Sequence, residues 1–409
     1  MGAAPPPPLA LPDKPSIAVL PFQNMSGDAD QGYFADGIVE EITTALSRIR
    51  WLFVIARNSS FTYRGRTVDV KQVGRELGAR YVLEGSVRRA GDRVRITGQL
   101  VEAAVGTHLW ADRFDGTVED VFELQDRVTA SVVGAIAPKL EQAEILRAQR
   151  KPTASLDAYD HYLRGMAGIH GWTREANRAA FQSFTRAIEL DPGFAAAYGM
   201  AARCFSQRKS SGWLEDRTKD MIEADRLARR AAELGRDDAN ALGAAAMVLS
   251  YVIGDLDSAT LLIDRALVLD PSFAWGWQVS GWIKGWSGEP ETAIEHIAQA
   301  MRLSPSDPHM FTMRASTGSA HFFAGRYDAA LSSSRAALWE RPGFLISNAV
   351  VAAAAALSDR QPEAEQAMAR LRTIEPSMRL GNLREHWPIR RADDLARWTD
   401  GLRRAGLLP

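Results

Sequence analysis

The chain has 409 residues, 46% apolar and 24% charged, with 49 Lys+Arg against 50 Asp+Glu for a formal charge of −1. At roughly 100–200 residues per domain this allows two to four domains with buried cores, and the neutral balance argues against a chain built mainly to hold nucleic acid. Cys204 is the single cysteine, which excludes an intramolecular disulfide and a multi-cysteine metal site. The longest apolar run, residues 349–357, is about half the length a membrane helix needs. The first residues lack a basic leader and an apolar core free of proline, so no secretory signal is read there. The chain therefore reads as soluble and cytoplasmic.

Residues 1–15 are proline-rich and read as an extended linker of the kind that follows another domain. Residues 17–22 (IAVLPF) make a buried strand and 24–30 (NMSGDAD) a turn. Residues 33–49 place Phe34, Ile38, Ile42, Leu46 and Ile49 at helical spacing, and 52–56 (LFVIA) form a second buried strand. Asp69 caps a helix that shares Val70, Val73 and Leu77 on one face before Gly78. Residues 81–89 and 93–102 alternate at period two as an antiparallel hairpin through Ala90, Gly91 and Asp92. Val94, Ile96, Gly98 and Leu100 take its inner face, while Arg93, Arg95, Thr97 and Gln99 take the wet one. A strand over 108–114 and a long helix over 118–150, with Pro138 inside, complete an α/β domain at 16–150.

Beyond Lys151 and Pro152 the composition turns to Ala, Leu, Arg, Glu and Trp, and the chain repeats itself. AIELDPGF at 187–194 returns as ALVLDPSF at 266–273, and more loosely at 300–307, 337–344 and 371–378. The prolines fall at 192, 271, 305, 342 and 376, with AAELGRDD at 231–238 filling the first gap. Each proline stops a helix, because it has no N–H and clashes with the turn before it. Ala180/Ala187, Ala259/Ala266, Ala293/Ala300 and Ala330/Ala337 mark helix contacts, with Phe184, Ile263, Ile297 and Met368 as large partners. About six helix–turn–helix units over 155–380 predict an all-α solenoid whose core exists only through stacking. The pattern resembles tetratricopeptide repeats, best in Trp277, Gly281, Ala293, Ala300 and Pro305; Ser280 and Lys284 depart from it. Residues 381–409 read as a tail capping the last repeat.

The strings IAVLPFQNMSGD, YFADGIVEEI, LFVIARNSSFTYRG, VGRELGARYVLEGSVRRAGDRVRITGQL and HLWADRFDG make residues 16–125 resemble the TolB amino-terminal-like domain of bacterial multidomain regulators. The resemblance implies an α/β domain lying between an effector, either a class III adenylate cyclase or a winged-helix domain, and C-terminal tetratricopeptide repeats. No room for either effector is read ahead of residue 16, so the resemblance supplies no catalytic residue.

No Walker loop, GxGxxG, GxSxG or HExxH is present. The seven histidines are scattered, and neither a metal nor another cofactor is expected. Glu40 and Glu41 diverge by about 100° on their helix and read as a solvated face. Asn58, Ser59 and Ser60 with Arg57, Arg64 and Arg66 could hold an anion, though a loop bonding its own backbone explains them too. Arg88, Arg89, Arg93 and Arg95 read as a solvated sheet face rather than a nucleic-acid stripe, and Asp112, Arg113 and Asp115 as turn chemistry or a cleft edge. Trp275, Trp282 and Trp286 share one side of a helix at i, i+7 and i+11, with Gln278 beside them. Trp277 and Trp286 read as core, Trp282 fits core or groove, and the cluster with Gln278 is the candidate docking site for a protein or peptide partner. The chain is expected to be a non-catalytic scaffold or regulator; the sensory part of an adenylate cyclase system and a transcriptional regulator are the alternatives.

Overall fold

The computed structural model describes residues 14–26, 32–49, 51–66, 69–90, 93–117, 121–150, 157–304, 307 and 309–409. Most of the proline-rich lead, the Gly91–Asp92 turn, the 151–156 junction and Pro305 lie outside these. The chain divides into two compact units after Glu144.

In the first unit β1 (Ser16–Val19) lies between β3 (Phe53–Val54) and β4 (Tyr81–Ala90), parallel to both; β4, β5 (Arg93–Glu102) and β6 (Thr107–Thr117) continue as an antiparallel meander. Beyond Pro21 the chain rejoins the sheet as β2 (Gln23–Asn24), parallel to β4 at Ser86 and Val87. Residue 24 is thus in a strand, not a turn. Its side chain accepts the Ser26 N–H at 3.0 Å; residues 27–30 of the expected turn lie outside the described residues. Helix α1 (Gly32–Ser47) precedes β3, and α2 (Arg57–Ser60) with a 3₁₀ turn (Phe61–Tyr63) replaces the expected loop. Helix α3 (Val70–Leu77) begins at Asp69, which accepts the Lys71 N–H at 3.0 Å, and ends at Gly78 with φ +63°.

The expected alternation sets the layers. Val94, Ile96 and Leu100 face Ile38, Ile42 and Leu46 of α1 and Val128, Val132 and Ile136 of α4 (Val121–Arg150), while Arg93 and Arg95 are exposed. α3 covers part of the other face through Val73 against Val82. The fully buried Glu144 anchors α4: its Oε1 accepts from Tyr81 Oη at 2.7 Å and from Arg80 Nη1 at 2.8 Å. Burial, and then the Glu144 charge, push the Tyr81 phenol far up.

The second unit is a solenoid of six antiparallel helix pairs: α5 (Ala158–Gly171) with α6 (Arg174–Leu190), α7 (Ala195–Ser210) with α8 (Arg217–Leu234), α9 (Ala239–Val248) with α10 (Leu256–Leu269), α11 (Ala274–Ser287) with α12 (Pro290–Leu303), α13 (Met310–Phe323) with α14 (Tyr327–Glu340), and α15 (Leu345–Leu357) with α16 (Gln361–Ile374). The repeating alanines, and Phe184, Ile263, Ile297 and Met368 between them, are buried in the seams. A Cβ on Gly281 would stand 2.5 Å from Ile297 Cγ1, whereas one on Gly285 would find nothing nearer than 3.8 Å. Gly281→Ala should therefore destabilise: overpacking of about 1–3 kcal/mol exceeds a helix-propensity gain of about 1 kcal/mol. Gly285→Ala, with that gain alone, should stabilise by about 0.5–1 kcal/mol. Urea midpoints of the two variants should move in opposite directions.

The superhelix winds back on itself. The Trp172 indole lies edge-on to Phe311 at 4.9 Å and Phe344 at 6.1 Å, and the His170 and His309 imidazoles stack at 4.7 Å, joining the first pair to the fifth and sixth. Trp172 takes a left-handed φ of +47° to do this. That conformation costs a bulky residue about 1–3 kcal/mol, and the ring contacts with a 3.2 Å bond from Nε1 to Ser211 Oγ hold it there.

The tail makes contacts with several helix pairs. From α17 (Leu383–His386) to α18 (Ala392–Arg404) it packs on α15, where Gly401 meets Ala353, and also reaches earlier repeats. The Arg390 N–H donates to Trp286 O at 2.9 Å, the Arg390 guanidinium pairs with Asp257 at 2.7 Å, and Arg217 pairs with Glu385 at 3.6 Å. A terminal cap needs only the last pair; these bonds carry the tail back to α8, α10 and α11.

Candidate functional site

The first helix of each pair faces the solenoid's interior, and together these helices wall a cavity of about 70 Å³. Helix α11 supplies Trp275, Gln278, Val279, Trp282 and Trp286, the i, i+3, i+4, i+7, i+11 stripe of one face. Helix α7 supplies Arg203, Ser206, Gln207 and Ser210 at i, i+3, i+4 and i+7. Met247 and Tyr251 come from the third pair, Ile169 and Trp172 from the first, Thr312, Phe344 and Ile346 from the fifth and sixth, and Trp387 from the tail.

Trp275, Gln278, Trp282 and Trp286 thus stand in one wall. Their exposures differ: Trp282 is 7% and Trp286 3% exposed, while Trp275 is half-buried. Tyr251, Trp286 and Trp282 form a stacked ladder, with centroids 5.5 and 5.2 Å apart. The Arg203 guanidinium lies 4.2 Å over the Trp275 ring, a cation–π contact. Gln278 Nε2 donates to Thr312 Oγ1 at 2.6 Å, and Gln207 Nε2 to Ile169 O at 3.0 Å. Trp277 points elsewhere, into the seam with α12, edge-on to His296 at 4.9 Å and donating to Pro271 O at 2.8 Å.

Tyr251 sits in a π-helical turn (Leu249–Ile253) that continues α9. Its carbonyl accepts from Lys209 Nζ at 2.6 Å, and the same ammonium lies 4.7 Å from the Tyr251 ring. Burial and then the Arg217 charge lower the Lys209 amine to about 7. Burial lowers His170 to about 4, with Arg203 adding to the effect, and His386 to about 4, with Arg217 and Lys209 adding. His309 is lowered well below its ordinary value, again chiefly by burial. Cys204 is buried in α7, its thiol pushed up to about 12 by burial and hydrogen-bonded to Met200 O at 3.5 Å. Two wall residues keep a buried donor without a hydrogen-bond partner: Ser206 through Oγ and Trp387 through Nε1.

The first unit's candidates are drawn apart. Arg57 faces Glu40 at 3.7 Å and lies 4.0 Å over Phe61, and Arg64 pairs with Asp36 at 2.8 Å, so carboxylates stand where an anion was considered. Arg95 pairs with Asp115 at 2.6 Å. Asp112 and Arg113 border an open, polar part of the sheet with Ser86, Thr97 and Gln99.

The α7 contribution was missed from sequence because α7 is buried nearly all round and shows no polar-against-apolar pattern. The usable signal was the spacing of Arg203, Ser206, Gln207 and Ser210 within an otherwise small-residue helix. The Trp172 and Trp387 contributions depend on contacts between distant segments and leave no local mark.

Among the described residues no helix is long and apolar enough to cross a membrane. The helical unit has a tetratricopeptide-like fold of stacked helix pairs, and no catalytic domain is evident among the described residues. Residues 13–131 match the profile described as HilA/YgeH-like transcriptional regulator, second domain. The chain is similar to "Putative adenylate cyclase 3" of Rhizobium meliloti (strain 1021), 44% identical over 250 residues covering 61% of this chain and 42% of that protein. It is similar to the transcriptional regulator HilA of Salmonella typhimurium, 24% identical over 310 residues covering 73% of this chain and 53% of that protein. It thus spans about half the length of these relatives or less. A solved tetratricopeptide-repeat protein of Thermus thermophilus is similar at 18% identity and a TM-score of 0.37, covering 48% of this chain and 98% of that one.

Proposed function

We propose that this chain is a non-catalytic, cytoplasmic regulatory module that binds a protein or peptide partner on the inner face of its solenoid. The carrying observation is the aromatic wall of Trp275, Trp282 and Trp286 with Gln278, gathered from one helix face onto the concave side. Trp275 is the point of first contact, because Trp282 and Trp286 are almost fully buried. An apolar side chain of the partner inserts beside it, and Gln278 supplies a polar contact. The α/β unit, with its TolB-like sequence strings, acts as the sensory part and communicates binding to an effector. Partner recognition involves no nucleic acid, in line with the chain's neutral charge.

The 44% identity to the Rhizobium protein favours a cyclase system as the setting, with this chain corresponding to a regulatory part. The match of residues 13–131 to a second domain of transcriptional regulators favours a winged-helix effector instead. In both settings the chain itself supplies binding rather than bond chemistry. The test is affinity capture with the full chain, with Trp275→Ala and Trp339→Ala in parallel. The same bound protein should be retained by the wild type and by Trp339→Ala and lost from Trp275→Ala, with unchanged circular dichroism. Equal retention by all three removes the inner face from the reading.

A further inference from the structure

The solenoid's inner cavity has room for a small molecule and a wall that selects one. Its space of about 70 Å³ corresponds to about five water positions, the bulk of a single six-membered ring. One side is a ladder of rings with Trp286 as the middle rung: Tyr251 stacks on it at 5.5 Å and Trp282 at 5.2 Å. Tyr251 reaches its rung from the π-helical turn after α9, a backbone irregularity that recurs at functional sites. The Lys209 ammonium lies 4.7 Å from the Tyr251 ring, so Trp282 is the end at which a further flat ring continues the stack. The wall's polar side chains are already engaged. Gln278 donates to Thr312, whose hydroxyl donates to His309 O; Gln207 bonds Ile169 O and Asn177; Ser210 bonds Gln207 O; and Arg203 lies over Trp275.

The surroundings also resist charge of either sign. Lys209 lies against the Tyr251 ring, and His309 and His386 lie 5.5 and 5.8 Å from the Trp172 and Trp387 rings. All three are shifted toward their neutral forms, as is the Tyr251 phenol, and burial is the largest cause each time. The formal charges acting on them have both signs: Arg217 and Glu375 on Tyr251, Arg217 and Glu385 on Lys209. A charged ligand meets the same desolvation cost as these side chains. A flat ring without a charge meets only the stacking faces.

We propose that this cavity is a binding site for a small uncharged monocyclic aromatic compound. The ring continues the stack at Trp282, and a polar substituent stays toward Trp275, the more exposed end of the wall. The inference goes beyond partner docking and stands without it. Its consequence for docking is that an occupied cavity fills the space beside Trp275, so the compound acts as a small-molecule signal on the same face.

The test is calorimetric titration of the full chain with benzyl alcohol and, separately, with cyclohexylmethanol, benzoate and benzylammonium. Benzyl alcohol should bind saturably with one site per chain. Benzoate and benzylammonium should each bind at least about tenfold more weakly, because the ring brings a charge with it. Cyclohexylmethanol, of similar bulk but without a π-face, should bind about three- to tenfold more weakly. Met247→Trp, at a half-buried wall position, should fill the space and abolish binding. Trp282→Leu should bring benzyl alcohol down to the level of cyclohexylmethanol. Should either variant fail to fold, the four compounds on the wild-type chain still decide. No saturable heat with benzyl alcohol, a charged compound bound as tightly, equal affinity for cyclohexylmethanol, or undiminished affinity in a folded Met247→Trp variant overturns the proposal. So does binding of a short phenylalanine-containing peptide with no binding of benzyl alcohol, which would make the occupant a partner's side chain. Because no partner is present in the compound titrations, their failure leaves partner capture by the solenoid standing, and failure of capture leaves this site standing.

Discussion

Trp398→Ala is expected to cost the helical unit about 3–5 kcal/mol, the range for emptying a wholly buried tryptophan site. Trp398 is 0% exposed. Its ring meets Phe322 at 5.0 Å, Phe323 at 6.0 Å and Trp387 at 5.1 Å, and beside the 2.7 Å bond from Arg397 to Phe323 O it supplies the apolar part of the tail's grip on α13. A solenoid's stability is a sum of repeat and neighbour terms, and loss at one end lets the terminal repeat open before the rest. Amide exchange in α15 and α16 should therefore accelerate first, and the urea transition should broaden as well as shift. Trp339 is the internal control: at 89% exposed on α14, its replacement by alanine should move the midpoint by no more than about 0.5 kcal/mol. Equal, small shifts for both variants would show that the tail is not part of the solenoid's cooperative core.

That contrast between two tryptophans shows what one-dimensional reading can reach. The repeats were legible because their period is written into the chain: the alanines and prolines recur at spacings that only stacked helix pairs require. The hairpin was legible because Val94, Ile96 and Leu100 alternate with arginine, threonine and glutamine. The α11 stripe is equally periodic, so its four members are grouped by spacing alone. Ring closure left no such record. Trp172 meets Phe311 and Phe344 only because the superhelical turn happens to bring the first pair round to the fifth and sixth, and no local pattern encodes that pitch. The tail's return to Asp257 and Trp286 is hidden for the same reason. The short helix at Arg57–Ser60 was lost to composition, since asparagine and serines suit loops as well as a single helical turn.

The ring closure should also be acid-labile. His170 and His386 titrate at about 4 in the fold and at about 6.5 in the unfolded chain. Their folded values are depressed, so the unfolded chain binds more protons between those limits, and stability falls as pH drops through that window. Each histidine contributes about 3 kcal/mol above pH ~6.5, lost progressively on approaching pH ~4. His309 acts in the same direction, chiefly through burial, with His170, Arg203 and Arg341 adding to the effect. For His386 the facing cations are Arg217 and Lys209. Lys209, at about 7 in the fold against 10.5 as its ordinary value, obeys the same sign in a higher window: stability rises as pH climbs through it. The urea midpoint of the full chain, followed by circular dichroism, should therefore fall steeply between pH ~6.5 and ~4.5. His170→Phe keeps a flat ring against His309 and removes one titrating group, so its acid slope should be shallower by about a third to a half. A flat wild-type profile, or a His170→Phe slope as steep as the wild type, would mean that the stacked pair opens without consequence for the fold.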